Sequence, residues 1–357
     1  MIMPRPIKRY AFINAKLKTR LSLVLGEDFF DGLMKSQNIG EAMLLLKETS
    51  FAQVEAVYSQ TGDLKMSELE LMRSEINLYR EIHHLVDRDL QEFVNALVMQ
   101  YEVENFKNIM RLWFDRWIRN RDISTSTGYI LREALLIPYD KDAVIASGED
   151  LSLFDSLKNT PFLKIIKKNI DEIRNSQSLF SLESDLDMLF YENLIDQCRT
   201  LTDRDSSIVM RLVGVEIDLE NMTRLIRFKL FYHFTPQQMQ NYIISGGHRL
   251  KPDTLLNLYT SSNDSELLPA LLGAGYEGVS ALTNQSQTDI YKRMELMESI
   301  LEEILKREVK KLLLGDPFSI GIMMSYFIIK KHDIHRLVSI LNGINYGLPE
   351  DRMKSGL

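Results

Sequence analysis

One short pattern occurs three times in this chain, and it restricts the fold to something assembled from copies of a unit. The middle copy is Glu216-Ile-Asp-Leu-Glu-Asn-Met-Thr-Arg-Leu-Ile-Arg-Phe-Lys229. An earlier copy is Tyr101-Glu-Val-Glu-Asn-Phe-Lys-Asn-Ile-Met-Arg111, and a later one is His332-Asp-Ile-His-Arg-Leu-Val-Ser-Ile-Leu-Asn342. Glu104, Glu220 and His335 align at offsets of 116 and 115 residues. The same register superposes the acids Glu102, Asp218 and Asp333, and the apolar sets Val103/Leu219/Ile334, Phe106/Met222/Leu337 and Ile109/Leu225/Ile340.

Apolar residues at 219, 222, 225 and 226 recur with helical period and predict one buried stripe per copy. Glu102, Asp218 and Asp333 stand just before their stripes. There a short acid accepts hydrogen bonds from the free N–H groups of a first turn, so the three are expected to be structural helix caps. Ile217 and Met222 flank Asp218 as a hydrophobic staple would. Three acids acting as a catalytic or metal set is the weaker alternative.

A second marker recurs upstream. Leu46-Lys-Glu-Thr-Ser-Phe51 matches Leu157-Lys-Asn-Thr-Pro-Phe162 and, more loosely, Leu272-Gly-Ala-Gly-Tyr276. Its aromatics are spaced by 111 and 114 residues, close to the period of the first marker. A small residue followed two positions later by an aromatic suits a helix end whose ring tucks back onto the core. Between the markers lie long charged, Leu-rich stretches, Met66 to Leu97, Leu182 to Leu212 and Met294 to Leu314, each helical in period. Strand alternation is absent, so the expected fold is all-α. Turn-rich segments at 122–128 and 244–253 divide it into three helical repeats, 1–121, 122–248 and 249–357.

At 357 residues the length accommodates two or three domains. A net charge of −7 argues against a general nucleic-acid binder and leaves room for a basic protein partner. The single cysteine, Cys198, excludes an internal disulfide and reads as a small buried hydrophobe in a reducing compartment. The N-terminus lacks the continuous apolar run of a signal peptide, and the greasiest stretch, 318–329, is too short to cross a bilayer. A cytoplasmic protein is expected.

Near the N-terminus Lys8, Arg9, Lys16, Lys18 and Arg20 belong to a basic amphipathic segment that could face lipid headgroups or an acidic protein, although a solvated face is the commoner explanation.

Signs of chemistry are sparse. Gly273-Ala-Gly-Tyr-Glu-Gly278 matches the dinucleotide-binding glycine spacing but has no preceding strand, which that motif requires. No phosphate-binding loop ending in Gly-Lys-Ser/Thr occurs. His83 and His84 are adjacent and point apart on a helix, and His332 with His335 has no carboxylate support for a metal. No small-molecule substrate, cofactor, metal or catalytic residue is expected. Trp113 and Trp117, interleaved with Arg111, Arg116, Arg119 and Arg121, could stack on a single strand of nucleic acid. Four residues apart they share a helical face, which favours filling a junction. Arg111 aligns with Arg227, so its place belongs to the repeat and is open to an internal or a partner-facing charge.

The repeated acid-x-Glu-Asn unit resembles the C subunit of bacterial and archaeal V/A-type rotary ATPases, a relative of the d subunit of eukaryotic V-ATPases. The N-terminal Tyr10…Asn14-Ala-Lys-Leu-Lys-Thr-Arg-Leu-Ser22 and the closing Asn342-Gly-Ile-Asn-Tyr-Gly-Leu-Pro-Glu350 carry the same resemblance. The third copy departs, with His335-Arg336 in place of Glu-Asn. The resemblance implies a funnel of three similar helical domains around a pseudo-threefold axis. It also implies a rotor component that performs no chemistry. One copy per complex would seat the central shaft on the membrane proteolipid ring, at the cytoplasmic face, and transmit torque during ATP hydrolysis or synthesis coupled to ion transport. Within that picture the acidic net charge suggests an acidic seat for a basic shaft tip. The segment Lys8 to Arg20 is then a candidate for the ring contact, with Arg111 and Arg227 as further partner contacts. A generic cytoplasmic helical adaptor without an ATPase partner, and an all-helical enzyme, are the alternatives.

Overall fold

The computed structural model describes residues 5–148, 151–277 and 290–355, and among them every regular element is a helix, as the periodicity predicts. A first helix, α1 (Arg5–Leu21), is followed by short helices α2 (Glu27–Met34), α3 (Ile39–Leu46) and α4 (Ala52–Thr61) and by the long pair α5 (Leu64–His83) and α6 (Arg88–Trp117). The order then recurs. Short α7 (Lys141–Ala146), α8 (Leu151–Ser156) and α9 (Phe162–Ser176) precede long α10 (Phe180–Thr200) and α11 (Asp203–Arg227). After α12 (Pro236–Gln240) come α13 (Pro252–Ser261), α14 (Leu267–Gly275), long α15 (Ile290–Leu313) and α16 (Gly321–Asn345), and a last short α17 (Glu350–Ser355).

Two compact units result, one from residues 46–197 and one from residues 1–45 together with 198–357. In the first, Phe106 of α6 stacks on Phe162 with centroids 4.0 Å apart, and Tyr139 meets both rings edge-on. In the second, α1 packs against α16. The Tyr10 hydroxyl donates to Asp205 Oδ2 at 2.7 Å, and Asn14 Nδ2 donates to the carbonyls of Pro317 and Ser319 at 2.8 and 2.9 Å. There α11 and α16 also meet in register. Ile320 N–H donates to Asp205 Oδ1 at 3.3 Å and Lys331 Nζ to Glu216 Oε1 at 3.2 Å, each pair 115 residues apart, so the two helices run parallel.

The helix-end markers behave as their spacing predicts. Thr49 and Thr160 Oγ1 donate to the carbonyls of Leu46 and Leu157 at 2.7 and 2.8 Å, and Phe51, Phe162 and Tyr276 are buried. Gly62 ends α4 in the left-handed region at φ 65°, where a side chain would be strained.

Glu102, Asp218 and Asp333 do not cap helix starts. They lie deep inside α6, α11 and α16. The starts are elsewhere: Asp87 caps α6, Thr202 caps α11, and α16 begins after Ile320 with no side-chain cap. The stretches Met66 to Leu97 and Leu182 to Leu212 each contain a helix end and a new start, marked only by the short breaks at His84–Asp87 and Leu201–Thr202. Short polar breaks without Gly or Pro barely disturb a hydrophobic pattern, so the stripe beginning at each acid belongs to a helix already under way.

Asp140 is a true cap, accepting from Ala143 N–H at 2.9 Å in an exposed position. Asp140→Ala is expected to lower stability by about 1 kcal/mol in urea denaturation, the usual cost of a lost cap.

Candidate functional site

The three aligned acids are fully or nearly fully buried, with 0, 0 and 4% exposure for Glu102, Asp218 and Asp333. A carboxylate out of water must find donors, and in each copy they come from the stretch leading into the next short helix. Glu102 Oε2 accepts the backbone N–H groups of Leu136 and Ile137 at 2.9 and 3.1 Å, before α7. Asp218 accepts from Arg249 N–H at 2.7 Å and Leu250 N–H at 3.1 Å, before α13. Asp333 faces the backbone of Leu25, before α2, and its Oδ2 lies 3.9 Å from Lys330 Nζ.

Three residues on, on the same helix face, a second polar side chain grips the same stretch. Asn105 donates to the Leu131 carbonyl at 2.9 Å and accepts its N–H at 2.8 Å. Asn221 treats Ile244 identically, at 2.8 and 2.9 Å. In the third copy Arg336 replaces the asparagine, pairs with both Glu27 oxygens at 2.9 and 2.8 Å, and lies 3.9 Å over the Phe30 ring.

A tyrosine completes the Asp218 joint, and another stands near Glu102. Tyr276 donates to Asp218 Oδ2 at 2.8 Å, and burial together with that carboxylate raises its own ionisation far above the ordinary range. Burial and the neighbouring Glu102 raise Tyr139 in the same way. The fit around Asp218 leaves no room for a side chain at Gly247, where a Cβ would stand 2.2 Å from Oδ1. The Ser-Gly-Gly-His turn at 245–248, which reads as a linker, is thus part of the packing around Asp218.

Burial raises the Asp218 carboxyl above the ordinary aspartate value, partly opposed by its hydrogen bonds, and burial raises Asp333 likewise, partly opposed by Lys330. Glu102 and Asp218 thus hold loops through their backbone N–H groups.

The cations singled out by sequence are scattered. Arg111 lies in unit 46–197, bonded to Glu183 at 2.7 Å, Asn108 at 2.7 Å and Glu104 at 3.2 Å, so its charge is met within the unit. Arg227 is exposed at the end of α11. On α1, Lys8 and Lys18 are exposed, Lys16 and Arg20 are half-buried, and Arg9 turns inward to Asp205 at 3.8 Å. Arg111 also borders a cleft of about 410 Å³ with Lys65, Glu68, Asn105, Asn108 and Tyr129. Asn105 and Asn108 are engaged in the contacts just given, and the Tyr129 hydroxyl donates to Asp63 at 2.6 Å.

The tryptophans fill a junction. Trp113 and Trp117 donate their indole N–H groups to the carbonyls of Ser147 and Ile145, at 3.0 and 3.2 Å. Cys198 is buried, its thiol pushed up to about 12. Among the described residues no three His, Cys, Asp or Glu side chains converge as a metal would need, and no helix is long and apolar enough to cross a membrane. Of the glycine-spaced segment, Gly273 and Gly275 lie in α14, while Gly278 is outside the described residues.

Residues 13–356 match the family model of the ATP synthase (C/AC39) subunit. The chain belongs to that family. Relatives include the C subunit of the A-type ATP synthase of Methanosphaera stadtmanae, 22% identical over 92% of this chain and 82% of its own. That of Methanocaldococcus jannaschii is 22% identical over 97% and 85%, and that of Thermococcus onnurineus 20% identical over 97% and 89%. The family match takes in all three joints, whereas Lys8, Arg9 and Phe12 precede it.

Asp218→Ala is expected to cost about 3–5 kcal/mol, because it strands buried backbone donors as well as removing a charge. The pH dependence has a definite sign. An acid whose folded value is raised contributes stability that is fully present below the unfolded aspartate value of 3.8 and is lost as pH rises through the folded value. The stability of the wild type minus that of Asp218→Asn should therefore fall as pH rises from 3.8 toward neutrality. A difference that grows over that range in urea melts would contradict the assignment.

Proposed function

We propose that this chain is the non-catalytic component of an A-type ATP synthase that seats the central shaft on the membrane ring of proteolipids and passes torque between them. The observation that carries the reading is the family match over residues 13–356, supported by relatives named as the C subunit of that machine. The internal repetition agrees with it, since a ring-shaped seat is readily made from copies of one unit. In this reading the three helical repeats, 1–121, 122–248 and 249–357, surround a pseudo-threefold axis and leave an opening for the shaft. One copy serves each complex, at the cytoplasmic face of the membrane.

The polar groups described above hold loops together. That is what a torque-bearing part requires: stiffness between its segments, with no reactive centre of its own. A shaft is one asymmetric object, so three related inward faces cannot bind it as three equal locks. A broad electrostatic seat suits it better, acidic in keeping with the net charge of −7. Exposed Arg227, Lys8 and Lys18 are then available to outer partners.

The test is affinity capture of the tagged chain from native membranes in mild detergent. Shaft proteins and proteolipid should co-purify. A capture that brings neither would overturn the proposal in favour of a helical adaptor with other partners. The shaft alone should bind at low salt and be released toward 1 M, where the Debye length falls to about 3 Å. Salt-independent binding would remove the acidic seat. Calorimetry of the isolated chain with ATP should show no saturable heat.

A further inference from the structure

The outer face of α1 carries exposed cations and apolar side chains. From Arg5 to Leu21 the helix holds six cations, Arg5, Lys8, Arg9, Lys16, Lys18 and Arg20, and no acid, in a chain whose net charge is −7. Surface helices normally mix the two signs; here Arg9 is met by Asp205, while Lys8 and Lys18 stand exposed on a helix with no acid of its own.

The buried face of α1 is fixed. Tyr10, Ile13, Asn14 and Leu17 point inward, held by the Asp205 and Pro317/Ser319 hydrogen bonds, and Arg9 pairs with Asp205. The helix cannot rotate on its axis without breaking these bonds, so its opposite face is presented in one orientation. That face exposes Lys8, Phe12, Ala15 and Thr19, spaced at three and four residues, with exposed Lys18 to one side. Phe12 is 68% exposed. Leu23, eleven residues and so about three turns later, continues the line just past the helix end and is 73% exposed. Its N–H donates to the Arg20 carbonyl at 3.0 Å, which keeps it close to the helical path.

We propose that this face is a peripheral membrane contact, taking the anionic headgroups of a phospholipid bilayer, with Phe12 and Leu23 dipping below the headgroup level and Lys8 and Lys18 pairing with phosphates. The composition is that of a helix lying in a membrane interface: cations around large apolar side chains, no acid, and the axis parallel to the surface. An acidic protein would satisfy the charges. A single convex helix, however, offers no pocket to anchor the partner's hot-spot side chains, whereas a fluid headgroup layer conforms to it. The proposal rests on the functional reading only in that a membrane-bound assembly would bring this face near a bilayer. The contact itself belongs to the chain alone and can be tested without the assembly.

The experiment is co-sedimentation of the full chain with vesicles of phosphatidylglycerol mixed with phosphatidylcholine, against pure phosphatidylcholine vesicles. The wild type should bind the former, bind the latter far less, and be released by salt. Each cation near an anionic leaflet strengthens binding roughly fivefold, so the double variant Lys8→Glu/Lys18→Glu should bind at least about tenfold more weakly. Phe12→Ser should also weaken binding, and should do so at high and low salt alike. All these side chains are exposed, so the variants should melt as the wild type does. A wild type that ignores anionic vesicles overturns the proposal, as do variants that bind as tightly as it does. If the variants instead lose a co-purifying protein in detergent while the wild type never binds vesicles, the face is a protein interface and the lipid assignment fails. The detergent capture of shaft and proteolipid does not depend on lipid, so failure here leaves the functional reading standing or falling by itself.

Discussion

A carboxylate buried in the middle of a long helix, holding backbone N–H groups of a distant loop, is the interaction on which the described structure depends most. In helix interiors the backbone satisfies itself, so a side chain there is free to serve another segment. Glu102 and Asp218 do this for segments whose own backbones have no helical or sheet partners at those points, and Asp333 faces the Leu25 backbone in the same way. The asparagine or arginine one turn later grips the same stretch a second time. Two grips from one rigid helix fix both the position and the direction of the segment, and hence of the short helix that follows it. The interior location makes the arrangement stiff, because any opening would leave a charge and several donors unpaired in a medium that cannot solvate them.

The third joint achieves the same end with different parts. In the first two copies the gripped segment follows the long helix along the chain. In the third it comes from the N-terminal stretch, so Asp333 and Arg336 tie residues near 335 to residues near 25 without a covalent link between them. There asparagine gives way to arginine, and the partner changes from backbone amides to the Glu27 carboxylate, with the Phe30 ring beneath the guanidinium. The departure that looks like decay of the repeat in sequence is thus a substitution of one bidentate grip for another. The joints also recruit tyrosines from unrelated places: Tyr276, from the helix-end marker, donates to Asp218, while Tyr139, just before α7, neighbours Glu102.

This economy bears on function. The described acids, amides and tyrosines of the repeated unit are turned toward one another, and Arg111 is neutralised within its own unit. What remains for partners is surface: the outer face of α1, Arg227 at the end of α11, and the exposed apolar residues near the helix ends such as Tyr346. These exposed groups are where contacts with other subunits can form, in keeping with relatives named as subunits of an A-type ATP synthase.

The sequence by itself determined the all-α class, the period near 115 residues, the identity of the key acids and the helix-end aromatics, because each is written in local spacing that helical geometry makes regular. It also pointed to a junction role for Trp113 and Trp117, since four residues on a helix place two side chains on one face. The role of the acids was decided only by tertiary structure. An acid before an apolar stripe looks the same whether the helix starts there or began more than ten residues earlier, and the breaks that settle the matter contain neither Gly nor Pro at His84–Asp87 and Leu201–Thr202. Nor could spacing along the chain reveal that Gly247 must lack a side chain beside Asp218, or that Glu27 meets Arg336 across 309 residues. Those facts depend on which segment is laid against which helix, a matter of long-range packing that no local pattern encodes.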